Sequence, residues 1–410
     1  MNKILLPQRA WEGTSDLEIT LPAEWRVATS NMAGYNRVAL SPREIREAIK
    51  HPAVSPPIRS LASPRSQVVI IFDDIARSTR VAQIVPSVLE ELAEAGVLEE
   101  NIRFIGATGC HAAMNRSDFV KKLGEEVVRR FKVYNHNPFG HCVRVGTTSS
   151  GVEIYANEEV TRCDVRIAIG TVIPHQAAGF SGGGKIILPG ICSRETNLSF
   201  HRSAREFQQK NHRGNTLKGL IEGNPLRLNI REAARMVGLH FKIEVLVNAH
   251  GETVAVYAGS PEEAFAAAVK DAAAHYLTQR LPEKDIVIAG AAVKVNEIES
   301  GLDVACASVK QGGSVVLVGN APEGHIPHYL FGSWGTLSGR AGHGLPPQVE
   351  HLYVLNEYPD LSVLDYFAMP EKVSIHTNWE EILEQLRTRY PGGAEVGVYP
   401  NADIQYFGEG

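Results

Sequence analysis

The stretch Cys163–Lys185, CDVRIAIGTVIPHQAAGFSGGGK, joins a continuous apolar run to a loop holding glycines, a histidine and a lysine. An unbroken β-branched and aliphatic run of this length is the pattern of a strand buried on both faces, as in a parallel sheet. Two upstream segments repeat the theme: QVVIIF from Gln67, which ends in acid at Asp73, and NIRFIGATG from Asn101, with His111 directly after it. Between them VAQIVPSVLEELAEAG, Val81 to Gly96, spaces its apolar residues helically and stops at glycine. Strand, helix and strand in that order predict an α/β fold. Each strand end delivers a polar cluster: Asp73 to Arg80, Thr108 to His111, and His175 to Lys185. In an open parallel sheet ligands sit beyond the carboxyl ends of the strands, so these clusters are expected to converge on one site.

Outward from this region the pattern continues. Ser117 to Phe131 reads as an amphipathic helix capped by its serine, and Leu217 to Val237 as a second helix. FKIEVLVNAHG and ETVAVYAG read as a hairpin, followed by an Ala-rich helix capped by Ser260 with Glu263 in capping-box position. After a break from Thr278 to Asp285, IVIAGAA opens a new series of strands. The expected architecture is therefore two α/β domains, 1–278 and 285–410, each with a mostly parallel sheet, and with the active site in the cleft between them.

The 410 residues are 44% apolar and 21% charged, with a formal charge of −5, the composition of a soluble globular protein with no electrostatic footprint for nucleic acid. The apolar run near the amino terminus, ILLP, is too short for a signal-peptide core, and no segment reaches the length of a membrane span. The five cysteines form no CxxC pair, which suits free thiols in a reducing compartment. A cytoplasmic enzyme without nucleic-acid or membrane partners is expected.

Chemistry concentrates in the glycine loop. Its successive amides form a concavity suited to an anion, so the loop is expected to hold a phosphate. GFSGGGK supplies the G-x-x-x-x-G-K half of a nucleotide-binding P-loop, but Ile186 stands where Ser or Thr would hold magnesium. A phosphate- or nucleotide-binding protein without redox chemistry remains one alternative. A zinc hydrolase built on His111, His175 and His201 is another, since imidazole binds that ion well. His136 and His141 fall in a loop region where a surface position is favoured.

The segment IPHQAAGFSGGGKIILPGICSRETNLSFH, Ile173 to His201, resembles the H-x-x-x-G-F-S-G-G-x-K-x-x-L-P-G-I-x-S core of the lactate racemase family, the nickel-pincer-nucleotide 2-hydroxyacid racemases and epimerases. DDIARSTR resembles that family's D-[DH]-x-T-R-P segment and ATGCH its A-T-G-x-H segment, in family order; the likeness runs loosely from Ser66 to Gly319. The resemblance implies covalent attachment of the nickel-pincer nucleotide, a pyridinium-3-thioamide-5-thiocarboxylic acid mononucleotide carrying Ni, at Lys185. It implies His201 as the protein ligand to nickel, His111 and His175 as paired acid/base groups, and Arg77 as the substrate-binding arginine. Asp73, Ser181, Gly182, Gly183 and Gly184 become candidate cofactor contacts. A 2-hydroxy acid substrate and the cofactor-making proteins are the implied partners. In the family mechanism hydride leaves C2 and returns to the other face, while one histidine per stereoisomer handles the hydroxyl proton.

Three departures bear on the ligand. Ala76 and Ser78 replace the family's Thr and Pro, and Gly184 stands where a basic residue is common. In the second domain AAVKVNEIESGLD places Glu297 and Ser300 at about the positions of a Gln and a Lys that touch lactate in typical members. A cation lost and a carboxylate gained favour a polyhydroxylated acid such as gluconate. Trp334 is expected to line the same site.

Overall fold

The computed structural model describes residues 1–8, 11, 16–53, 55–210, 217–330, 345–367 and 370–408. Trp334 lies outside the described residues. The chain divides into two compact units, one of Met1–Asn36, Ala249–Gly251 and Ala274–Gly410, the other of Arg37–Asn248 and Glu252–Ala273.

The unit from Arg37 carries a six-stranded sheet. Its order is Thr253–Gly259, Phe241–Val247, Val165–Thr171, Val68–Asp73, Ile102–Ala107 and Lys132–Asn135, parallel throughout except for the first, which pairs antiparallel with its neighbour as the hairpin pattern predicts. The central strands are buried along almost their whole length, which is why their sequences run apolar without alternation. From Val68–Asp73 the chain steps outward to Ile102–Ala107, then later returns to lay Val165–Thr171 on the opposite side. The order reverses between these two strands, and their carboxyl ends, Asp73 and Thr171, mark the switch point where α/β sheets place ligands.

One expected helix is two. Arg116–Leu123 and Glu125–Arg130 are separated by Gly124 at φ +85°, and the first is capped by Asn115 in a capping box with Asp118, not by Ser117. Asn115 stands at the cap position, where its side chain reaches the Asp118 amide, whereas Ser117 is already inside the first turn. Likewise Leu217–Val237 is helical only from Pro225, where Asn224 caps and proline fixes the first turn.

The other unit holds a second six-stranded sheet, wholly parallel, in the order Val373–His376, Val349–Leu355, Val309–Val318, Lys284–Gly290, Glu395–Tyr399 and Arg26–Thr29. The first residues of the chain therefore belong with the last. The division expected at residue 278 assigned 1–36 to the other unit; the parallel pairing of Arg26–Thr29 with Glu395–Tyr399, and the Trp379 indole donating to the Thr20 carbonyl at 2.8 Å, place them here. Such pairing across the whole chain leaves no local trace in sequence. No helix among the described residues is long and apolar enough to cross a membrane.

Candidate active site

Two carboxylates close the strand Val68–Asp73, and they have different tasks. Asp73 accepts from the buried Lys122 ammonium at 2.6 Å, from the Thr79 hydroxyl at 2.5 Å and from the Thr171 amide at 3.2 Å. It ties the two strands of the switch point together. Burial pushes the Lys122 amine down, and the Asp73 charge opposes that shift. Lys122 also donates to the Arg77 carbonyl at 2.9 Å, which fixes the loop that presents the Arg77 side chain. Asp73 was a candidate cofactor contact; its oxygens are engaged in this internal network.

Asp74, buried, faces the other way. Its Oδ2 lies 2.6 Å from His111 Nδ1, while its Oδ1 accepts from the Ala76 amide at 3.0 Å. The carboxylate therefore holds the His111 ring proton on Nδ1 and leaves Nε2 with a lone pair. That is the tautomer of a proton acceptor. Sequence reading passed over Asp74, although an acid next to a strand end and a histidine at the next strand end were the signal.

His175 and Lys185, ten residues apart by number, meet across the glycine loop. His175 Nε2 lies 2.8 Å from Lys185 Nζ, and His175 Nδ1 accepts from the amides of Ala177 at 3.1 Å and Ala178 at 3.2 Å. His201 is on the helix Arg194–Lys210, with Nδ1 2.7 Å from the Asn197 carbonyl one turn earlier. Nδ1–H donates to that carbonyl, so the Nε2 lone pair is available to a metal.

The Gly183 amide donates to the carboxylate of Glu244, itself fully buried and 2.8 Å from the Lys242 ammonium. Ser181 is spent internally as well: its hydroxyl donates to the Thr171 carbonyl at 2.6 Å and accepts from the Ile173 amide at 2.9 Å. The Arg227 guanidinium closes the loop from the far side, donating to the carbonyls of Ala178 at 2.8 Å, Gly182 at 3.3 Å and Phe180. Close approach explains the glycines. A Cβ at Gly182, φ +81°, would lie 2.6 Å from Val172 Cγ2 and 2.9 Å from Glu244 Oε2, and one at Gly184 would lie 2.6 Å from the Ile230 carbonyl of the neighbouring helix. The Ser181 hydroxyl and the Gly183 amide, both candidate cofactor contacts, thus have partners within the chain.

Among the described residues no three His, Cys, Asp or Glu side chains are grouped to hold a metal ion. A nickel already chelated by an organic group needs only one imidazole from the chain, and His201 fits that demand. Ser78 adds a second point of fit: its buried hydroxyl, one residue after Arg77, has no hydrogen-bond partner among the described residues. A buried polar atom without a partner is a place for a ligand's polar group.

In the other unit Glu297 and Ser300 lie just past the carboxyl end of Lys284–Gly290, held where Asp403 accepts from the amides of Val293 at 2.9 Å and Lys294 at 2.6 Å. The carboxylate expected to stand without a cation has one. Lys294 Nζ is 2.8 Å from Glu297, so the segment carries a neutral pair.

His136, expected at a surface, is 3% exposed and joins Cys192 O at 2.9 Å to the Asn157 amide at 3.1 Å. Burial pushes its ring down to about 4, the Cys192 hydrogen bond opposing. The unfolded ring titrates near 6.5, so between these values the unfolded chain binds more protons. Stability is complete above about pH 6.5 and is expected to fall by about 3 kcal/mol as the pH drops through 4. Urea unfolding of the parent and of His136→Asn across this window checks it: the variant should lose the slope that the parent shows.

The lactate racemase N-terminal domain family matches residues 13–213. The lactate racemase of Thermoanaerobacterium thermosaccharolyticum is 29% identical over 323 residues, covering 76% of this chain and 74% of that protein. That of Lactiplantibacillus plantarum is 27% identical over 303 residues, covering 72% and 70%. The fold is also that of the lactate racemase apoprotein of T. thermosaccharolyticum, with a TM-score of 0.72 at 22% identity and complete coverage of both chains.

Proposed function

Because this chain belongs to the lactate racemase family, whose named members are isomerases, we propose that it inverts the C2 hydroxyl stereocentre of a 2-hydroxy acid. The observation that carries this reading is a pair of histidines, each beyond the carboxyl end of a strand of the same sheet and each fixed by its own partner. Asp74 sets His111 with its ring proton on Nδ1 and the lone pair on Nε2, suited to take the hydroxyl proton of one stereoisomer, while His175 stands beyond the end of the strand Val165–Thr171 with Nε2 against Lys185. Two imidazoles are needed because the hydroxyl oxygen occupies different positions in the two isomers.

Arg77 supplies a fixed positive charge for the substrate carboxylate, its loop anchored by Lys122. Lys185 is the attachment point for the nickel-pincer nucleotide and His201 Nε2 its ligand from the chain, with the Ser78 hydroxyl able to meet a polar group of the same molecule. When bound, such a group supplies the acceptance and return of hydride. The protein's part is to hold the acid, exclude water and move one proton at the C2 oxygen.

Proton NMR of lactate, malate and gluconate in deuterium oxide tests this, with enzyme co-expressed with the cofactor-making proteins. Formation of the 2-epimer with little deuterium at C2 is expected for one of them. Deuterium washed into C2 would overturn the hydride reading and make the histidines carbon bases. In the same preparation Lys185→Ala should lose the covalent mass that the parent carries.

A further inference from the structure

We propose that His175 holds Lys185 as a neutral, nucleophilic amine in the unmodified chain, and that acylation of Lys185 releases His175; the second half rests on Lys185 being the attachment point. His175 Nδ1 receives two backbone amides, from Ala177 and Ala178, so it carries no proton. The neutral ring then has its hydrogen on Nε2, the atom 2.8 Å from Lys185 Nζ. An ammonium has three hydrogens and no lone pair, and against Nε2–H it would set proton on proton. The contact is a hydrogen bond only with Nζ as NH₂, accepting from Nε2–H.

Local structure enforces this. The turn that brings the Ala177 and Ala178 amides back onto Nδ1 lies between the short paired segments Pro174–His175 and Gly179–Phe180. The glycine loop that ends in Lys185 is in turn pinned by Glu244 and Arg227. Neither partner of the contact hangs on a mobile surface arm.

A neutral amine is the form that attacks an activated acid. The Nε2–H···Nζ hydrogen bond breaks, the freed Nζ lone pair forms the C–N bond, the bond to the leaving group breaks with its electron pair going to that group, and one N–H proton leaves with it. The acylated nitrogen has its lone pair delocalised and one remaining N–H, so it can no longer accept from His175. The ring that is tied to lysine before modification is thus turned over to substrate after it. His175 acts here as a positioning residue for Lys185.

The test uses the full unmodified chain and an N-hydroxysuccinimide ester of acetic acid at pH 7, with acetylation of each lysine followed by peptide mass spectrometry. Lys185 should acetylate at least about tenfold faster than exposed Lys270, the factor that one unit of basicity is worth. His175→Phe should abolish that advantage, and His111→Phe should leave it intact. Equal rates for Lys185 and Lys270, or an advantage that survives His175→Phe, would overturn the proposal. Should His175→Phe fail to fold, long-range ¹H–¹⁵N spectra of the parent decide: a His175 proton on Nε2 supports the proposal and one on Nδ1 refutes it. Neither measurement involves nickel or turnover. A chain that racemises but fails them keeps the function above without this device, and one that passes them without racemising keeps the reactive lysine alone.

Discussion

Asp74→Asn is expected to lower kcat by about 10²- to 10⁴-fold with little change in KM, the scale seen when a histidine base loses the carboxylate that sets its tautomer. The asparagine amide can turn its NH₂ toward His111 Nδ1, which then becomes the acceptor and moves the ring proton to Nε2. The base is lost while the shape of the site is kept. His111→Gln should cost about as much, and the double variant little more than either, because the two side chains act as one unit. Rates of enantiomer interconversion for the substrate identified by NMR, measured on equally loaded proteins, provide the comparison. An Asp74→Asn enzyme within tenfold of the parent would mean that Asp74 does not govern the proton on His111.

The largest effect on stability is expected at Glu244. Its carboxylate and the Lys242 ammonium are both fully buried, two residues apart on the strand Phe241–Val247 and so on one face of it. The Arg227 guanidinium lies 4.4 Å over the Phe265 ring. Burial pushes the Glu244 carboxyl up and Arg227 down to about 9, with the Glu244 charge opposing the second shift. Glu244→Ala leaves two buried cations without their anion and the Gly183 amide without its acceptor. The expected cost is about 3–5 kcal/mol by urea unfolding, the usual result of removing one partner of a buried pair. Lys242→Met combined with Glu244→Leu should recover most of it, since apolar replacements remove the unbalanced charge as well. A loss below about 1 kcal/mol for Glu244→Ala would show that water reaches the network and carries its charges.

The same network shows how far the glycine loop is legible in the sequence. The residue types were legible. Poly-glycine, histidine and lysine between apolar segments mark a place where backbone comes close to something, and it does. What it approaches is Glu244, far along the chain and on a strand whose sequence, FKIEVLV, gives no sign that its glutamate turns inward.

The sequence by itself determined the strands, their buried character, the polar clusters at their carboxyl ends with His111, His175 and Lys185 among them, and His201 as a further candidate. These follow from local periodicity and from side-chain chemistry, which a linear reading captures. The tertiary structure decided the rest. It put the first residues of the chain into the carboxyl-terminal sheet, gave Glu297 its cation in Lys294, turned the Gly183 amide onto Glu244, and set His111 against Asp74 and His175 against the Ala177 and Ala178 amides. A hydrogen bond depends on where its partner points within a few tenths of an ångström, and that direction exists only once distant strands are laid side by side.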